Sequence, residues 1–289
     1  MGKKYLIFIF IAILTCCSCS GSNETSSEDI LYEPSNILVF KEIDNYQLKA
    51  HIFNPADLND DMKLPAFVFF HGGGWNTLDA TVGYEICDYF ASLGMVAISF
   101  EYRLADQRSI TPVECITDAK SAVRWARQHA DELHINPDEI VASGESAGGH
   151  LAACTGILEG FDETNENLNI SATPNALILS SAVVDPTVDS WFILLLQNRT
   201  DATNCSPYHH IRQGLPPTIL FHGTSDATVA YSTVQAFTNE MVQQNNRCEL
   251  YSFDGGHMFH LYNEEDADEM MDLMDDFLVS LGYLGTDPE

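Results

Sequence analysis

From residue 36 onward the apolar positions follow two rhythms that take turns along the chain. Residues 36–42, apolar over 37–40, and 46–53, which alternates apolar and polar positions, read as two β-like stretches around an Ile43-Asp44-Asn45 link and predict an antiparallel opening pair. The run 66–70, Ala-Phe-Val-Phe-Phe behind Pro65, is apolar at every position, as a strand is when helices cover both its faces. Short runs at 95–100, 140–143, 176–180, 218–222 and 250–253 read the same way. Between them, 80–93, 112–130, 150–158, 231–244 and 267–281 read as helices, the first stopped at Gly94 and the second entered at Pro112. Eight strands with intervening helices and no internal repeat predict one doubly wound, mostly parallel α/β sheet carrying at most a small lid. Ligands of such sheets bind beyond the carboxyl ends of the strands.

The first 35 residues break this rhythm. Lys3 and Lys4 precede an apolar run over 5–14, about half of what a bilayer span needs, so 1–20 reads as a secretory signal peptide. Its end, Leu14-Thr15-Cys16-Cys17-Ser18-Cys19, resembles the lipobox of bacterial lipoproteins, in which the cysteine after the cut carries the lipid and a Leu stands three before it. Cys17 fits with Leu14; Cys19 fits with Ser18 before it but has Cys16 where Leu is usual. The resemblance implies export and a lipid anchor in the bacterial envelope. Residues 21–35 are polar enough to be a flexible tether, leaving 36–289 as one folded domain.

Charge narrows the partners. Asp and Glu number 42 against 13 Lys and Arg, a formal net charge of −29, and such a surface repels phosphate backbones and disfavours polyanionic substrates. Nucleic acid is therefore excluded, while a neutral ester carried on a sugar stays open. Five cysteines lie downstream, an odd number. Cys87, Cys115 and Cys154 fall inside helical patterns as small buried hydrophobes; Cys205 and Cys248 are free to pair, with nothing that forces them to. No Cys/His spacing of the zinc type occurs, and no metal or organic cofactor is called for.

The chemistry is concentrated at strand ends. Residues 140–149, Ile-Val-Ala-Ser-Gly-Glu-Ser-Ala-Gly-Gly, put G-x-S-x-G between a strand and a helix. A nucleophile on so tight a turn needs small neighbours two residues to either side, which makes Ser146 the candidate nucleophile. His71-Gly72-Gly73-Gly74-Trp75 follows the 66–70 strand. Three glycines make sense where backbone N–H groups must approach a ligand, so Gly73 and Gly74, completed by Ala147, are the candidate oxyanion donors. His71 reads as a residue that orients this loop, and Trp75 as either a wall of the acyl site or a core plug. Asp226, in His222-Gly-Thr-Ser-Asp226, is the candidate orienting acid ahead of Asp185 and Asp254. His257, on a two-glycine loop four residues past the last strand, is the candidate base ahead of His260. His51, His129, His134, His209 and His210 read as surface residues, and His150 as packed on the nucleophile helix.

These stretches, with Glu101-Tyr-Arg-Leu-Ala105, resemble the α/β-hydrolase fold esterases, especially the hormone-sensitive-lipase-like and the feruloyl/acetyl-xylan esterase branches. The resemblance covers 36–281 and implies a serine esterase whose triad falls on Ser146, Asp226 and His257. Asp106 stands where the lipase-like run has Pro, and no N-terminal helical cap is legible, which favours the smaller esterases acting on decorated polysaccharide. A lipase-like carboxylesterase, a serine peptidase of the same fold and a non-catalytic binding module are the alternatives. The insertion 183–215 is either a lid wall over the acyl group or a core helix, and Arg103 and Glu101 are expected to brace one another or the loop after the fourth strand.

Overall fold

The computed structural model describes residues 32–285; the expected signal peptide, the lipidation candidates Cys17 and Cys19, and the tether before Tyr32 lie outside the described residues. One eight-stranded sheet runs in the order β1-β2-β4-β3-β5-β6-β7-β8. β1 (Asn36–Ile43) pairs antiparallel with β2 (Tyr46–Phe53), and β2 with β4 (Val96–Phe100). β3 (Leu64–Phe70), β5 (Ile135–Glu145), β6 (Ala176–Ser180), β7 (Thr218–Gly223) and β8 (Cys248–Phe253) complete a parallel sheet with β4. The continuous apolar runs have the cause expected of them. In β3, Ala66, Val68 and Phe70 face one core layer while Phe67 and Phe69 face the other. Each phenylalanine so buried stabilises the fold by about 1.5–3 kcal/mol.

The first layer is covered by α2 (Pro112–Gln128), α3 (Ala147–Ile157), α4 (Ser190–Leu196) and α5 (Tyr231–Gln243), the second by α1 (Tyr84–Ser92) and α6 (Glu264–Ser280). α2 opens on a capping box, with Pro112 at its first turn and the Glu114 carboxylate accepting the Thr111 N–H at 2.7 Å. α6 begins at Glu264, three residues before the apolar pattern does, because Asn263 caps it by accepting the Glu265 N–H at 3.1 Å. Over 80–83 the expected first helix is a 3-10 turn, and α1 starts only at Tyr84.

Several expectations need correction. Tyr32 and Ser35, assigned to the tether, touch the body: the Tyr32 hydroxyl donates to Glu85 at 3.3 Å and Ser35 Oγ accepts from the Asn54 N–H at 3.1 Å. Of the two expectations for Glu101 and Arg103, mutual bracing fails, while a brace on the loop after β4 is found for Arg103. Glu101 turns to His51 and the Lys49 N–H, whereas Arg103 ties the loop after β4 to the fully buried Asp118 through two 2.8 Å hydrogen bonds, joined there by Lys41 at 2.7 Å. Residues 101 and 103 both lie just past the end of β4, where the chain has left the pleat, and go to separate partners. His51 is buried, held between Tyr84 and Glu101, so it is no surface residue. Cys205 and Cys248 are both free and buried, as are Cys87, Cys115 and Cys154.

Candidate active site

The turn between β5 and α3 is built by steric necessity. Ser146 caps α3 with φ 52° and ψ −117°, a strained conformation for a residue with a Cβ. It is held there by its N–H to Ser180 O at 3.0 Å and by the His150 N–H to its own carbonyl at 3.0 Å. A Cβ on Gly144 would lie 2.5 Å from Gly148, and one on Gly148 only 1.9 Å from Phe70 O. The two motif glycines are therefore the close approach of strand and helix itself. That approach also draws α3 back to Ala147, three residues earlier than helix propensity suggested.

His257 and Asp226 meet this serine. His257 Nε2 lies 3.0 Å from Ser146 Oγ, and its Nδ1 lies 2.8 Å from Asp226 Oδ2. The loops after β7 and β8 interlock so that the pair is fixed: Ser225 N–H donates to Gly255 O at 2.9 Å and Thr224 N–H to Phe253 O at 2.8 Å. A Cβ on Gly223 would collide with the carbonyls of Gly255 and Gly256 at 2.4 and 2.3 Å. Asp226 Oδ1 accepts the Thr228 and Val229 N–H groups, each at 2.8 Å. Burial would raise this carboxyl, but hydrogen bonds from His222, His257 and the Val229 backbone outweigh it and hold Asp226 well below the ordinary carboxylate range. The rivals lie elsewhere. Asp185 caps the turn at Thr187, Asp254 is exposed, and His260 Nε2 faces Glu145 at 3.1 Å.

The glycine loop crosses in front of the elbow. Gly73 and Gly74 have φ of 103° and 57°, and Gly73 O accepts from Asn76 N–H, Thr77 N–H and Thr77 Oγ1 at 3.2, 3.1 and 2.9 Å. Gly74 O accepts from Trp191 Nε1 at 3.1 Å. With both carbonyls engaged away from Ser146, no acceptor among the described residues takes the N–H of Gly73 or Gly74. His71 stacks on Tyr102 with ring centroids 4.3 Å apart and donates to Gly72 O at 2.8 Å, a loop-orienting position. Burial pushes its imidazole below the usual histidine range. Tyr102 was missed as a site residue; its hydroxyl donates to His71 O at 2.9 Å and anchors the loop from β4.

Trp75 is a core plug. It is 2 % exposed and its indole N–H donates to His150 Nδ1 at 3.2 Å. The insertion is both things at once: in α4, Phe192, Leu195 and Leu196 are buried, while Trp191 turns its indole toward the glycine loop. A cleft of 1410 Å³ opens over Ser146, with Trp191, Val183 and Met258 near the serine and Tyr32, Glu85 and Met271 farther along, toward α1 and α6. Also missed was His222, fully buried beneath Asp226, for which the motif reading had no role.

Sheet order, elbow and glycine loop together define an α/β-hydrolase of the esterase class. The family model BD-FAE matches residues 51–241, and the chain belongs to that family. Among solved structures it is similar to esterase 2 of Thermogutta terrifontis, phosphonylated by sarin, at 38% identity over 91% of this chain and 99% of that one with a TM-score of 0.84. The propionate-bound form of the same esterase matches at 40% identity over 88% and 96% of the two chains, TM-score 0.82. A probable carboxylic ester hydrolase LipM of Mycobacterium tuberculosis is 24% identical over 70% of this chain and 50% of its own length. Endo-1,4-beta-xylanase B of Butyrivibrio fibrisolvens is 28% identical over 72% and 34%. The chain spans about half the length of the first of the curated relatives it matches.

Proposed function

We propose that the protein is a serine ester hydrolase working through an acyl-enzyme on short acyl esters, acetyl or feruloyl groups carried by an oligo- or polysaccharide. One observation carries this reading: the hydrogen-bonded line from Asp226 through His257 to Ser146, at 2.8 and 3.0 Å. Ser146 Oγ attacks the ester carbonyl while His257 Nε2 takes its proton, and Asp226 keeps Nδ1–H in place and steadies the imidazolium. The N–H groups of Gly73, Gly74 and Ala147 receive the oxyanion. His257 then protonates the leaving alcohol and draws a proton from water for the second half.

The acyl and alcohol classes rest on the cleft. Trp191 closes the space beside Gly74, which suits a short or flat acyl group better than a long chain, whose burial gains about 0.8 kcal/mol per CH₂ only where a trough exists. The cleft exceeds the volume of about 300–1,000 Å³ usual for a small ligand, leaving room for a bulky alcohol. Glu85, Asp88, Asp268 and Asp272 line it, with no Lys or Arg among the described lining residues, so a neutral sugar is favoured over an anionic one. The propionate-bound neighbour and the xylanase-named relative support the same choice. A p-nitrophenyl ester series from C2 to C12, run beside acetylated xylan and methyl ferulate, tests it. We expect kcat/KM to be highest for the short esters with release of acetate or ferulate; a steady rise to C10 or beyond without such release would restore the lipase-like reading. Lipidation at Cys17 or Cys19 belongs to the same proposal, and palmitate-analogue labelling of wild type, Cys17→Ser and Cys19→Ser tests it; an unlabelled wild type would end it.

A further inference from the structure

Two histidines converge on one carboxylate oxygen. Asp226 Oδ2 lies 2.8 Å from His257 Nδ1 and 3.2 Å from His222 Nε2. His222 is the fifth residue of β7, fully buried, and its Nε2 also lies 2.9 Å from Val229 O. Both neighbours of Nε2 are acceptors, so this nitrogen carries the proton, hydrogen-bonded to Val229 O with Asp226 Oδ2 3.2 Å to its side. His222 Nδ1 is buried with no hydrogen-bond partner among the described residues, so a proton there would be a stranded buried N–H. The ring proton is therefore placed on Nε2. A buried polar atom left unpaired costs stability, and a leucine or phenylalanine here would avoid that cost. The arrangement makes sense if the other nitrogen has work to do.

We infer that His222 is a positioning residue of the catalytic acid: its Nε2–H bridges Asp226 Oδ2 and Val229 O, locking the 226–229 turn and fixing the direction and basicity of the carboxylate that holds His257. The inference rests on the assignment of Asp226, His257 and Ser146 proposed above. Turn geometry shows why a brace is needed. Oδ1 is tied down by the Thr228 and Val229 N–H groups, so Oδ2 alone faces the base, and a carboxylate gripped at one oxygen can still swing the other. His222 closes that freedom from the side opposite His257. The titratable groups facing Asp226 and His222 are His257 from the loop after β8 and Tyr231 from α5, whose ring centroid is 6.1 Å from that of His222. A donor on Oδ2 also drains charge from it. Without that donor the carboxylate stabilises the His257 imidazolium more strongly, and the acid limb of kcat/KM must move to higher pH.

The test compares His222→Phe, which removes the donor, with His222→Gln, which restores one, alongside Ser146→Ala. We expect His222→Phe to lower kcat about tenfold with KM nearly unchanged, and to raise the pH of the acid limb by about half a unit, while His222→Gln recovers most of both. A purely structural role would lower the melting temperature without moving the limb. Long-range ¹H–¹⁵N spectra of the wild type supply a readout that needs no variant to fold: the His222 ring should carry its proton on Nε2. A proton on Nδ1, or a His222→Phe enzyme with wild-type kcat and acid limb, would overturn the inference while Ser146→Ala remained inactive. An active Ser146→Ala would instead overturn the assignment beneath it.

Discussion

His257 and His222 share Asp226 Oδ2, yet the two rings live in opposite surroundings. His257 sits at the cleft with its side chain 22 % exposed, and its second nitrogen points at Ser146. His222 is sealed, and its second nitrogen has no hydrogen-bond partner among the described residues. Only the first can pass a proton to and from a substrate. On the proposed reading, a histidine beside a carboxylate becomes a base or a brace according to what its far nitrogen meets.

Breaking the exposed side should have the largest effect. Ser146→Ala or His257→Ala is expected to lower kcat by roughly 10⁶-fold with the circular dichroism spectrum unchanged, because the residues act as a unit. Asp226→Asn comes next, at roughly 10⁴-fold. Its physical cause can be read from the turn: Oδ1 must remain the acceptor for the Thr228 and Val229 N–H groups, so the amide NH₂ takes the place of Oδ2 and confronts two histidine N–H donors. His257 would then have to adopt the wrong tautomer, which a kcat measurement across pH would report. Gly73→Ala should cost about 10²–10³-fold in kcat, since a Cβ at φ 103° meets Thr77 O at 2.3 Å and swings the proposed oxyanion donor away.

A third histidine sharpens the comparison through stability alone. His150, on α3, is fully buried and burial lowers it to about 4. Its Nδ1 accepts the Trp75 indole N–H at 3.2 Å and its Nε2 donates to Cys205 O at 2.8 Å, so a second proton would set two N–H groups against each other. The folded state binds this proton less readily than the unfolded chain, whose histidine titrates near 6.5. Stability is therefore full above pH 6.5 and falls as the pH drops toward 4, by about 3 kcal/mol. Urea unfolding of the wild type and of His150→Gln at a series of pH values should show that slope in the first and its loss in the second.

The fold was legible because both core layers are written into strands such as β3, where no polar residue interrupts the run from Ala66 to Phe70. The elbow was legible because its glycines answer a local collision between β5 and α3. What stayed hidden depends on partners far along the chain. Tyr102 anchors the glycine loop across 31 positions, and Arg103 and Lys41 find Asp118 at separations of 15 and 77. His222 read only as the last residue of a strand, since nothing in its neighbours says that β7 buries its ring under Asp226. The start of α3 was misplaced because Gly148 and Gly149 are poor helix formers, and packing overrides that preference.

The most direct test of the central claim is to trap the nucleophile. The wild-type protein, incubated with diethyl p-nitrophenyl phosphate and digested, should carry one diethylphosphoryl group on the peptide containing Ser146, formed with equimolar release of p-nitrophenol and absent from Ser146→Ala. An adduct on another serine with Ser146 unmodified, or undiminished ester turnover in Ser146→Ala, would contradict the account.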